Sequence, residues 1–182
     1  MKWVLWIGGG IVGVLVLGVV VLMVLGHRAN AGQVHASTEI RASRERVWAW
    51  LEDGDKLKQW ISWLVEVRAD PTQGPGVGAK RVLVMRDENN GGQLMEVQST
   101  CAEYSPPAHI VLKLSSMGAF EGDQTYELVD LGNGRTRLLV NSRYHFTLWL
   151  ANLMEPLITR LAQKKMDGDV AHLKSLLETV AQ

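Results

Sequence analysis

Two hydrophobic patterns divide the chain. From Trp3 to Leu25 run 23 residues without a charged side chain, 15 of them Val, Leu or Ile. As a helix this run would reach about 35 Å, enough to cross a hydrocarbon core of about 30 Å. At roughly −0.4 kcal/mol for each branched aliphatic residue, those side chains favour insertion by about −6 kcal/mol. Trp3 and Trp6 stand at one end, where interfacial aromatics sit, and His27 and Arg28 close the other. Residues 1–28 therefore read as a single-pass transmembrane anchor held by membrane lipid, 29–33 as a short linker and 34–182 as one domain.

A cleaved signal peptide is the rival reading. Lys2 would be its n-region and Ala29-Asn30-Ala31 has the form of a cleavage site, but the apolar run exceeds the usual h-region of about 7–15 residues. Gly9 and Gly13 form one GxxxG pair, which admits a weak anchor-mediated dimer and equally a glycine-rich span with no dimer. Lys2 favours a cytoplasmic N-terminus while Arg28, Arg41 and Arg44 oppose it, so the side of the membrane stays open.

Past the linker the pattern changes to short periodic segments. Val34, Ala36, Thr38 and Ile40 alternate with His35, Ser37, Glu39 and Arg41, as in a half-buried strand. Ser43 opens a short helix in which Val47, Trp50 and Leu51 form the apolar stripe and Trp48 points elsewhere, and Gly54 marks its C-cap. A helical turn through Trp60 and a second strand ending before Pro71 follow. "AKRVLVMR", "QLMEVQSTCAEY", "HIVLKLSSM", "DQTYELVDL" and "RTRLLVNSRYHF" are apolar, β-branched runs divided by Gly, Asn and Pro. With the first two strands they predict seven strands in an antiparallel meander. From Leu148 apolar residues recur at three- and four-residue steps, predicting a helix of nearly 30 residues with a kink near Pro156. It is the one element long enough to cover a face of the sheet.

Charge adds exclusions. Nineteen basic and nineteen acidic residues cancel, with no Lys/Arg run to track phosphates, so nucleic acid is not an expected partner. The five histidines fall at no metal-ligand spacing and Cys101 stands alone, so no metal, cofactor or intrachain disulfide is expected.

The order strand, short helix pair, six-stranded meander and long helix is that of the helix-grip fold. "STEIRASRERVWAWLEDGDKLKQWISWLVEV" resembles the opening of the START-like (SRPBCC) superfamily, which includes polyketide cyclase/dehydrase and lipid-transport proteins. "CAEYSPPAHIVLKL" resembles its mid-sheet corner, "YELVDLGNGRTRLLV" its hairpin and "DVAHLKSLLE" the end of its last helix. The resemblance covers about residues 34–180. It implies an α+β fold in which a curved seven-stranded sheet wraps a long C-terminal helix, with a cavity between them for a hydrophobic small molecule: a lipid, quinone or polyketide-like compound.

By this resemblance Trp50 packs into the core and Trp60 stands at the cavity mouth, while Trp63 covers the sheet edge. Leu138, Val140, Ser142 and Tyr144 share one face of the last strand, and Gln124, Tyr126 and Leu128 one face of the strand before it. If those faces point inward, Gln124, Tyr126, Ser142 and Tyr144 are the polar groups of an otherwise apolar pocket. Met85 and Met95, with Met117, are adaptable lining or plain filler. The tyrosine hydroxyls reaching solvent at the rim is the competing placement. No nucleophile–base pair stands out, so no catalytic residue is assigned. A polyketide cyclase/dehydrase-type or hydrolytic enzyme on an aromatic substrate remains the first alternative, and a structural or chaperone-like partner domain without a cavity the second.

Overall fold

The computed structural model describes residues 16–21, 32–87, 91–147, 151 and 154–179. Seven strands form one antiparallel sheet in the order β1-β7-β6-β5-β4-β3-β2. They are β1 (Gln33–Ile40), β2 (Leu64–Ala69), β3 (Lys80–Asp87), β4 (Gln93–Ser105), β5 (His109–Ser116), β6 (Phe120–Gly132) and β7 (Arg135–Phe146). Two short helices, α1 (Arg44–Glu52) and α2 (Gly54–Trp60), connect β1 to β2, and α3 (Glu155–Thr179) closes the chain. The seven-stranded α+β helix-grip architecture is present. The fold takes in Gly32 and Gln33 as well: β1 begins at Gln33, and the Gly32 carbonyl accepts from the Tyr144 N–H (2.8 Å).

Among the described residues no helix is long and apolar enough to cross a membrane. The predicted anchor, with Gly9 and Gly13, lies outside them apart from residues 16–21, a helical stretch whose side chains are exposed.

Local chemistry sets the boundaries. Ser43 accepts from the Arg46 N–H (3.4 Å) as the N-cap of α1. Gly54 does not cap α1, as the sequence had suggested; it is the first residue of α2. Asp53 ends α1 and caps α2, its carboxylate accepting from Asp55 N (2.8 Å) and Lys56 N (3.2 Å). Gly54 is wanted there for space, since a Cβ would stand 3.1 Å from that of Val67. Pro156 produces no kink. It lies in the first turn of α3, where the N–H it lacks has no intrahelical acceptor to serve.

Register shifts at Leu64/Glu66, Cys101/Glu103 and Asp130/Gly132 bend the sheet, and α3 lies on its concave side. β1 is an edge strand, and α3 occupies its unpaired backbone groups. Gln163 accepts from His35 N (3.1 Å) and donates to His35 O (2.7 Å), Thr159 Oγ1 accepts from Gly32 N (3.2 Å), and Glu178 accepts from Arg41 N (2.9 Å). At the opposite edge, Arg68 binds Glu66 (2.9 Å) and Glu96 (2.7 Å) and so places charge along β2.

Candidate functional site on the concave face

Inward residues do not bury evenly. Where α3 ends, Ile40, Thr136, Leu138, Leu173 and Leu177 are wholly buried, and the Thr136 hydroxyl donates to Ala42 O (2.8 Å). Towards the start of α3 the same sheet face carries Gln124, Ser142, Tyr144, Phe120 and Phe146, all only half-buried. The core thins in that direction, and the candidate site lies where it thins.

Gln124 and Ser142 are register partners, with the next inward pair, Tyr126 and Val140, beside them. Tyr126 is 8% exposed. No hydrogen bond ties the side chains of Gln124, Tyr126 or Ser142 to another described residue. Burial, and then the charge of Asp169, holds the Tyr126 hydroxyl in its neutral form far above the ordinary tyrosine range. Tyr144 donates to Thr159 Oγ1 (3.1 Å) and meets Phe146 edge to face, with ring centroids 5.6 Å apart. The strands thus set Gln124, Tyr126, Ser142 and Tyr144 on one face, as the alternation predicted. Met85 and Met95 face each other across β3 and β4, half-buried on the same side. Met117 is fully exposed in the β5–β6 turn and lines nothing.

The tryptophans sort differently from the expectation. Trp60 is 3% exposed and its indole N–H donates to Trp50 O (3.3 Å), which places it in the core cluster. The buried stripe of α1 is Val47, Trp48 and Leu51; Trp50 is only half-buried at its margin. Both sets satisfy helical spacing, and Tyr104 across the core decides between them by taking the Trp48 ring edge-on at 5.7 Å. Trp63 lies under Lys165 Nζ, 4.4 Å from its ring centre, at the junction of the α2–β2 turn and α3.

Three polar groups belong to this region that the sequence did not announce. Asp169 accepts from Ser62 N (3.2 Å) and Ser62 Oγ (2.7 Å) and pairs with Lys165 (3.5 Å), which also donates to Ser62 Oγ. That cluster ties α3 to the α2–β2 turn across more than a hundred residues of sequence. Tyr104 donates to Glu52 at the end of α1, and burial foremost pushes its hydroxyl up to about 12. Glu155, in the first turn of α3, is 6% exposed, with no hydrogen bond or ion pair to a described residue. Burial raises its carboxyl above the usual glutamate range, against a smaller opposing effect of His145.

Among the described residues, a hollow of about 660 Å³ is bordered by Lys113, Asp123 and Arg143 and reaches Gly32 and Tyr144, and one of about 430 Å³ lies between α1, α2 and the β2–β3 loop. Both are bordered by charged, solvated side chains. Among the described residues no group of three or more His, Cys, Asp or Glu is placed to hold a metal ion.

The comparisons agree with this geometry. No curated protein matches the chain. Solved structures of the same fold include a protein from Thermus thermophilus, at 17% identity and TM-score 0.67, covering 82% of this chain and 99% of that one. A START superfamily protein from Mycobacterium smegmatis is 18% identical at TM-score 0.65, covering 81% and 98%. A protein from the dynemicin biosynthetic locus is 17% identical at TM-score 0.58, covering 81% of this chain and 48% of that one. At these identities the likeness establishes the fold. The family model for polyketide cyclase / dehydrase and lipid transport matches residues 31–178, a span that takes in all seven strands and nearly all of α3. With the strand order and concave face found here, that match makes the chain a member of the polyketide cyclase / dehydrase and lipid transport family, of START-like fold.

Proposed function

We propose that the chain binds a hydrophobic small molecule carrying a polar head, such as a lipid, quinone or polyketide-like compound, between the concave sheet face and the first half of α3. We further propose that the run from Trp3 to Leu25 anchors it beside a bilayer. The observation that carries the first reading is the set of Gln124, Tyr126 and Ser142, on an apolar half-buried face and bonded to no described side chain. A few convergent polar groups in an apolar hollow orient a ligand that apolar contact retains. The anchor rests on the length and composition of the N-terminal run.

Titration with a fluorescent fatty acid tests the first reading. Gln124→Leu combined with Ser142→Val keeps the apolar contact and removes two head-group partners, so affinity should fall by about tenfold, near 1.4 kcal/mol, with stability unchanged. Unchanged affinity would take the polar pair out of the site.

One observation favours a second reading, a cyclase- or dehydratase-type enzyme. Glu155 is a buried carboxyl whose proton is held more tightly than usual, beside the Tyr144–Thr159 pair, and such a group is suited to the role of general acid. Turnover of a poly-β-ketone that vanishes in Glu155→Gln while the compound still binds supports it. Turnover unaffected by that change removes Glu155 from the role.

A further inference from the structure

Helix α3 carries two apolar faces in its first turns. One is inward and continues as Val170, Leu173 and Leu177, all buried. The other is formed by Met154, Leu157 and Leu161, exposed at 38%, 48% and 51%. These three recur at three and four residues, on the side of the helix turned away from the sheet. Further along, that same side carries Gly168, His172 and Ser175, all exposed. The outward apolar character is therefore confined to the first two turns.

Those are also the turns where the chain enters the domain. Gly32 donates to Thr159 Oγ1 (3.2 Å), and a Cβ added at Gly32 would overlap the Glu155 carboxyl. Six residues separate Leu25, the end of the long apolar run, from Gly32. Six extended residues reach at most about 20 Å. Exposed Arg160 and Lys164 border the stripe, and the acid of these turns, Glu155, is buried. An apolar stripe flanked by cations is the form of a helix face that lies in the headgroup region of an anionic bilayer.

We infer that Met154, Leu157 and Leu161 are a membrane-docking surface, which seats the start of α3, and with it the thin end of the core, on the bilayer. The inference rests on the anchor proposed above, because a six-residue tether keeps this face near lipid only when residues 3–25 are inserted.

The test uses the full chain in vesicles of phosphatidylcholine with roughly a quarter phosphatidylglycerol, an anionic surface of the kind that attracts Arg and Lys. In a Cys101→Ala background, Leu161→Cys and Ser175→Cys each carry a polarity-sensitive dye, and a nitroxide lipid is the quencher. Docking predicts that the dye at 161 is quenched at least about threefold more than the dye at 175, as expected for a helix side buried about 5–10 Å into the headgroup boundary. Leu157→Asp in the 161-labelled chain should abolish the difference while the protein still floats with the vesicles. Equal quenching at both positions in protein that floats overturns the docking and leaves the anchor standing. A dye at 161 shielded from water but not reached by lipid quencher also overturns it, in favour of cover by a second copy or by the chain's own N-terminal segment. Failure to float overturns the anchor and the docking together.

Discussion

Trp60→Ala is the sharpest test of how the interior is organised. As a gate, Trp60 would be dispensable for stability; the structure places it inside the core, 3% exposed, with its N–H bonded to the Trp50 carbonyl. Emptying a buried aromatic site costs about 3–5 kcal/mol, and here part of that cost is the Trp50 carbonyl left without its donor. Trp60→Phe separates the parts: the apolar ring stays, the hydrogen bond goes, and the loss should be about 1–2 kcal/mol. Trp50→Ala, at a half-buried position, should fall below Trp60→Ala, at roughly 1–2 kcal/mol. Against a typical domain stability of about 5–15 kcal/mol, Trp60→Ala removes a large share. For a domain of this size it should lower the melting temperature by roughly 6–20 °C. The assay is urea denaturation of residues 32–182 followed by far-ultraviolet circular dichroism, which does not depend on tryptophan emission. A loss under about 1.5 kcal/mol for Trp60→Ala, or one no larger than that of Trp50→Ala, refutes the packing argument and returns Trp60 to the cavity wall.

Asp169→Ala should cost about 1–3 kcal/mol by the same assay, because it removes the acceptor of both Ser62 N and Ser62 Oγ and takes one ion-pair partner from Lys165. Gly32→Ala should lose more than about 2 kcal/mol, since Gly32 has φ +73° and a Cβ there would meet the Tyr144 carbonyl and the Glu155 carboxyl; a neutral result would show that the entry to β1 is not fixed. Glu155 gives a pH signature. Its carboxyl holds its proton more tightly folded than unfolded, so folding is penalised as pH rises from the ordinary glutamate range through the raised folded value. Glu155→Gln should therefore be the more stable protein at neutral pH, with the difference vanishing on acidification below the unfolded value; stability curves parallel in pH would contradict the burial.

The fold was legible because its signals are local. Alternation from Val34 to Ile40, the Ser43 cap, the glycine and proline breaks between strands, and the three-and-four spacing from Leu157 to Leu177 each report one element without reference to the others. The candidate site was legible only in part. Strand parity put Gln124, Tyr126, Ser142 and Tyr144 on one face, but parity does not say how far each is covered. Trp48 and Trp50 are equally good stripe residues by spacing, and the choice was made by Tyr104, more than fifty residues away. Gln163 reads as an ordinary polar helix residue, and its role in covering the β1 edge exists only once α3 lies beside His35. Glu155 gave no signal at all. An acid just before a proline is a common way to begin a helix on the surface, and its burial follows from the close approach of Gly32.

Whether the concave face holds a hydrophobic molecule can be read by native mass spectrometry of the full chain as it is purified. An occupied face gives a mass excess corresponding to one apolar small molecule per chain, lost when Ala162, half-buried on the inward side of α3, is replaced by Trp to fill the space. A chain that is purified at its bare mass and binds no added fatty acid, and in which Ala162→Trp costs about 1–3 kcal/mol for want of space, would contradict that occupancy.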